Sequence, residues 1–273
     1  MTNNDDWREF SIFYPLNKLF SFFKDVQIAF KSMNITIELT RELESNFHYS
    51  YFGAANTNMK LEIKDILLCF DRIKLSPNAM NFYLNQLKST ARYPYLRRWS
   101  NIVQIGNESN YSRSFNFTRS GIGIPRYVFV LLREVKTHSA QTNYQLHNHG
   151  DIINMKISFG GNMFPSQLYN IDYTKNKYIL YYNQFLEVCN SMGYDEAHLS
   201  MIEFKNLYPI YAFDLSNLPE SIDGGDMTIY IEKSKDNAIS YQALIVGLLE
   251  NIVELNFSER VCKIATGRFN YKK

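Results

Sequence analysis

The 273 residues include only three cysteines, Cys69, Cys189 and Cys262, and no two of them stand at the spacing of a zinc or redox motif. A disulfide framework is therefore excluded, and each cysteine, set beside apolar neighbours such as Leu68 and Phe70, is expected to be a buried free thiol of a reducing compartment. An excess of either charge is lacking as well. The 29 basic and 27 acidic residues are interspersed and leave a net charge of +2, which withholds the electrostatic footprint of a nucleic-acid binder. Long apolar runs are missing too: the longest, residues 243–249, falls far below the roughly 20 residues that a membrane-spanning helix needs. Residues 1–6 are polar and acidic where an export signal carries positive charge, and the Phe-rich stretch 10–23 is broken by Pro15, Asn17 and Lys18. No membrane segment, no export signal and no specific nucleic-acid partner are expected. Five Asn-x-Ser/Thr triplets, at Asn34, Asn107, Asn110, Asn116 and Asn256, are a number that a chain rich in Asn reaches by composition, and they do not establish secretion.

Catalytic signatures are equally thin. The chain has no Gly-x-Ser-x-Gly elbow and no His-Glu-x-x-His pair. Gly121-Ile-Gly123 runs into Pro125 and a strand pattern, so it cannot offer a helix N-terminus to a phosphate. His147-Asn-His149, with Asp151 beyond, has two imidazoles but lacks the remaining ligands of a zinc site. Asp172 and Asp214 stand next to aromatic and apolar residues, where a carboxylate more often caps a turn than serves as one of the facing pair of a glycosidase. Arg92, Arg97 and Arg98 interleave with Tyr93, Tyr95 and Trp99, a composition able to bind single strands, but nothing extends the patch. The expectation is a protein that is not an enzyme, with no catalytic residue, no cofactor and no metal, and with no ionisable cluster around Asp172, Asp214, His147 or His149.

What the chain does have is aromatic residues and alternation. Twenty Tyr and 20 Phe suit pleated, half-buried surfaces. Strict period two recurs: Ile35, Ile37 and Leu39; Ile153, Met155, Ile157 and Phe159; Met227, Ile229 and Ile231. In residues 60–71 the apolar phase shifts between Ile63 and Ile66, as an inserted bulge residue would shift it, and residues 128–132 are continuously apolar, as in a strand buried on both faces. This register places Ile37, Leu39, Ile63, Phe129, Met155, Ile157, Phe213 and Ile229 inside. Glu38, Lys156, Ser158 and Thr228 face solvent or a neighbouring subunit.

Helical signals are few. Ser76-Pro77 opens one helix with Met80, Tyr83, Leu84 and Leu87 on a face; residues 175–192 form a second with Tyr178, Tyr181, Tyr182, Phe185, Cys189 and Met192 on a face and Gly193 as its stop; Ser200-x-x-Glu203 caps a short third. Many strands and few helices, without βαβ alternation, predict an all-β protein, an antiparallel jelly-roll β-sandwich with short helical insertions.

The order of segments resembles the double jelly-roll major capsid protein of Polinton (Maverick) elements and adintoviruses. The resemblance is carried by residues 15–22, Pro-Leu-Asn-Lys-Leu-Phe-Ser-Phe; by the strand ending Leu39-Thr40-Arg41; by residues 61–73 and the helix after Pro77; by Phe115-Asn116-Phe117 before residues 125–130, Pro-Arg-Tyr-Val-Phe-Val; by residues 154–165; and by residues 207–216, Leu-Tyr-Pro-Ile-Tyr-Ala-Phe-Asp-Leu-Ser. It implies a structural subunit of an icosahedral shell that associates, as a trimeric capsomer, with other capsid subunits in a virion, or resides in host cytoplasm or nucleus before assembly. Chains of that family are longer and carry a complete first roll, so the resemblance covers the second half. Residues 1–34 are expected to be a remnant of the first roll or an N-terminal strand segment, and residues 35–273 the jelly-roll domain. The alternative is a domesticated, capsid-derived jelly roll that binds a carbohydrate or protein partner. The aromatic stretch 10–30, too apolar to leave in water, is expected to make the isolated chain either self-associate or be poorly soluble.

Overall fold

In the strand predicted around Met155, side chains alternate between core and surface, and so they do in most strands of the computed structural model. The structure describes residues 9–25, 36–40, 62–71, 73–86, 91–117, 123–135, 146–194, 199–218, 225–234, 239–256 and 261–266. Nine strands appear among them: β1 (Ala91–Ile105), β2 (Asn110–Asn116), β3 (Pro125–Glu134), β4 (Ile152–Phe159), β5 (Asn162–Phe164), β6 (Ile210–Asp214), β7 (Asp226–Lys233), β8 (Tyr241–Asn256) and β9 (Val261–Thr266).

Their pairing is nested. β1 pairs with β8, β2 with β7, β3 with β6 and β4 with β5, all antiparallel. A ribbon of nested pairs cannot bury its apolar side while it lies flat, so it rolls over. The contacts β3–β8 and β4–β7 then close two sheets, β1-β8-β3-β6 and β2-β7-β4-β5, with β9 added along the last part of β8. That is a complete eight-stranded jelly roll, and the all-β sandwich expected from the sequence is the observed fold.

The core lies between the sheets. Val128, Ile157, Phe159, Phe213, Met227 and Leu249 are fully buried, with Met155 and Ile229 beside them. Gly247 faces Trp99 across the β1–β8 pair, and a Cβ there would come within 3.2 Å of the indole. Gly150 turns the chain into β4 at φ +60°, where a Cβ would press to 2.8 Å from Leu132.

Among the described residues five helices accompany the strands: α1 (Leu16–Leu19), α2 (Ser21–Asp25), α3 (Pro77–Gln86), α4 (Ile179–Ser191) and α5 (Met201–Asn206). The Tyr-rich α4 buries Tyr181, Phe185, Val188 and Cys189, close to the predicted face, and ends at Gly193 with φ +78°. It begins later than expected because Asp172 and Lys177 pair in an isolated bridge and hold residues 172–177 in a turn. The capping box of α5 forms in full, with Ser200 and Glu203 bonding reciprocally.

Several expectations require correction. Residues 36–40 and 62–71 carry no strand; Leu39 is 59% and Ile63 53% exposed, and Cys69 is exposed whereas Cys189 is buried. Alternation prepares a strand but supplies no partner for its backbone. Ile37 is half-buried. Phe129 is half-buried because it points to the outer side of its sheet, and Val128 and Val130 take the inner positions. A register shift between Ile152 and Asn154 puts Ile152 and Asn154 inside and leaves Ile153 half-buried. Residues 16–19 and 21–25 form two short helices, where an N-terminal strand segment was one of the two expectations. The apolar face of α3 gains little cover, with Leu84 38% exposed.

Candidate functional site

The residues weighed for chemistry in the sequence stand in turn, stacking and strand contacts. Asp172 Oδ1 accepts the Thr174 N–H (3.0 Å), the Thr174 hydroxyl (2.6 Å) and the Lys175 N–H (3.1 Å), while Oδ2 meets Lys175 Nζ at 3.0 Å. The Thr174 hydroxyl and the Lys175 contacts hold this carboxyl well below the usual carboxylate range and so favour its ionised form in the turn. Asp214 closes β6 by accepting the Ser216 N–H at 2.8 Å.

His147 and His149 lie on the turn that enters β4. His147 Nδ1 donates to the Leu132 carbonyl at 3.3 Å, whereas His149 Nδ1 accepts the Asp151 N–H at 3.1 Å and stands 3.7 Å from the Asp151 carboxylate. The two rings thus use Nδ1 in opposite senses. Burial pushes both imidazoles below their ordinary value; the Asp151 charge opposes this at His149, and Lys205 adds to it. Among the described residues no three His, Cys, Asp or Glu converge on one point.

His149 instead heads a column of rings. It stacks on Tyr173 at 4.2 Å, Tyr173 on Tyr178 at 5.4 Å, and Tyr178 on Phe204 at 6.5 Å, all within 13° of parallel. Tyr211 donates its single hydroxyl proton to the His149 carbonyl (3.1 Å), so the 2.9 Å contact between Tyr173 and Tyr211 is donated by Tyr173. Burial raises both phenols, which favours their protonated form.

Two polar positions escape sequence reasoning. Tyr181 Oη accepts the Met155 N–H at 2.6 Å and donates to the Met155 carbonyl at 2.9 Å, acting as a partner strand where β5, which pairs only with residues 157–159, does not reach. Asn154 is buried: its Oδ1 accepts the N–H groups of Tyr169 and Asn170, and its Nδ2 donates to Asn170 and Glu232. The signal for Asn154 was present, since a bulge can turn a residue of apparently outward phase inward.

The basic and aromatic residues of β1 part company. Tyr93, Tyr95 and Trp99 share one face, on which Trp99 packs edge-on against Phe115 and Phe117. Arg92 and Arg98 take the other face, where Arg92 pairs with Glu254 at 2.8 Å, whereas the exposed Arg97 falls between Tyr95 and Trp99 on the aromatic face. The three cations are therefore divided between the two faces of the strand.

What the molecule presents outward is surface. Phe22 of α2 packs edge-on against Tyr95 at 5.8 Å, Asp25 accepts the Leu96 N–H at 3.1 Å, and Lys24 lies 4.2 Å over the Tyr194 ring, so part of the aromatic N-terminal stretch folds back onto the sandwich. Ahead of it Phe10, Ile12, Phe13 and Tyr14 remain 57–82% exposed. Among the described residues no helix is long and apolar enough to cross a membrane.

A family model described as the double jelly roll-like domain matches residues 1–249. No curated protein matches the sequence. Among solved structures, a chain of the Sputnik virophage, determined by cryo-EM, is similar at 11% identity with a TM-score of 0.36; the match covers 67% of this chain and 41% of that one.

Proposed function

We propose, from the premise that the chain belongs to the double jelly roll-like domain family, that it is a structural capsid-type subunit that acts through its surfaces and performs no chemistry. The observation that carries this is the family match over residues 1–249 together with eight strands wound as one complete roll. The stacked tyrosines, the capped carboxylates and the two histidines are each engaged in packing or turn geometry, which fits a scaffold better than a catalyst. The finer reading belongs to the same proposal. The chain corresponds to the second roll of a longer capsid protein of the Polinton and adintovirus kind, with residues 1–34 a remnant of the first roll and residues 35–273 the roll domain. It joins other capsid subunits as a trimer, in a virion or, before assembly, in host cytoplasm or nucleus.

Sedimentation velocity on the full chain over a range of concentrations, with electron microscopy of the same samples, tests the proposal. Concentration-dependent oligomers that extend to capsomer-sized or shell-like particles are expected. A monomer at every concentration would overturn it, because the exposed residues 10–14 would then have no role in association.

A further inference from the structure

Jelly-roll sheets commonly bury one face and wet the other, so their strands alternate between apolar and polar. The two central strands of the larger sheet here do not. On β8, Leu244, Val246 and Leu248 alternate with the inward residues and are half-buried, and on β3 Phe129 and Leu131 do the same; of these, Phe129 and Leu248 still pack against the core cluster. At the margin Ile102 of β1 is 58% exposed, and beside it a hollow of about 60 Å³ opens between Ile102, Leu244, Arg133, His147 and Gln242. Toward β6 this side is covered, with Tyr127 and Ala212 buried and α4 packed on β6, so the apolar strip runs over Leu131, Leu244 and Val246 to the β1 margin and ends in the hollow beside Ile102.

A more exposed apolar surface lies elsewhere on the same chain. In residues 62–71, Ile63, Ile66, Leu67, Leu68 and Phe70 are 53–85% exposed, so this segment is not packed on the strip of its own molecule. It carries three acidic residues, Glu62, Asp65 and Asp71, against one basic residue, Lys64, which pairs with Glu9, while the strip is flanked by Arg98 and Arg133. Apolar matches apolar, and acid faces base.

We propose that the outer side of β1, β8 and β3 receives residues 62–71 of a second copy of this chain, which lays an extra layer over the strip and seats an apolar side chain in the hollow beside Ile102. The contact joins two different patches, so it is heterologous: it closes into a ring where the rotation permits. This rests on the self-association proposed above and names the surfaces that make it.

Sedimentation velocity on the full chain and two variants tests it. Ile102→Lys blocks the strip and Leu67→Lys blocks the segment; both side chains are exposed, so neither change disturbs the core. Each variant alone is expected to weaken association by about tenfold or more. An equimolar mixture of the two should recover a heterodimer, because one variant keeps an intact segment and the other an intact strip. Association that persists unweakened in both variants would overturn this contact and leave self-association standing. A mixture that stays monomeric would also overturn it, and a monomeric wild-type chain would overturn this contact and self-association together.

Discussion

Residues 62–71 and residues 152–159 carry the same kind of pattern and meet opposite ends. In the second stretch Met155, Ile157 and Phe159 are sealed in the core, with partners on β7 along its length and on β5 at its end. In the first, Ile63 and Ile66 stay in the open and no strand forms. Alternation makes a ribbon with one apolar side, but a strand needs neighbours for its N–H and C=O groups, and those come from far along the chain. The lesson is that period two reports readiness to pair and not pairing.

The largest test of this contrast places a charge in both stretches. Ile157→Asp should destabilise the fold by several kcal/mol, enough to unfold a domain of ordinary stability, because the carboxylate would be buried without a partner. Ile63→Asp should stay within about 0.5 kcal/mol of wild type. Urea unfolding followed by tryptophan fluorescence measures both, and equal effects would erase the distinction. Next in size, Asn154→Ala should cost about 1–3 kcal/mol, since the amide N–H groups of Tyr169 and Asn170 would lose their acceptor inside the protein. The same denaturation experiment reads it, and a neutral substitution would show that the bulge does not depend on that side chain.

Helix caps extend the comparison. Ser200→Ala should cost about 1 kcal/mol, because α5 anchors the fully buried Phe204. Ser76 makes a similar bond to the Ala79 N–H at 3.3 Å, but Ser76→Ala should leave global stability unchanged, because little of α3 is packed. Thermal melts of the two variants separate the cases.

The smallest expected effect is that of pH. His147 and His149 have folded-state values below 6.5, so the unfolded chain takes up protons first as the pH falls. Stability is then full above pH 6.5 and declines as the pH drops through 6.5 toward the folded values. Urea midpoints at pH 7.5 and 5.5 should show this loss, and His149→Phe, which keeps the stacked ring, should reduce it. An unchanged pH dependence would mean that His149 does not contribute.

The sequence was informative wherever the decisive partners are local. The box Ser200-x-x-Glu203 became the helix cap it promised, because its bonds span three residues. The face of α4 followed from its spacing, and the alternation of Met227, Ile229 and Ile231 matched their burial. Composition and period sufficed for an all-β sandwich. They could not tell which side of the strand takes Phe129, because residues 128–132 are apolar in both phases; the nested pairing with β6 and β8 turned Val128 and Val130 inward. Nor could they show that Asn154 would be drawn inside by a one-residue shift, or that Tyr181 would stand in for a missing strand at Met155. The chain by itself determined which segments can become strands and helices, since that depends on the spacing of side chains a few residues apart. The tertiary structure alone decided which of them did, because the groups that satisfy a strand's backbone and cover its face arrive from more than a hundred residues away, as β8 does for β1 and β3.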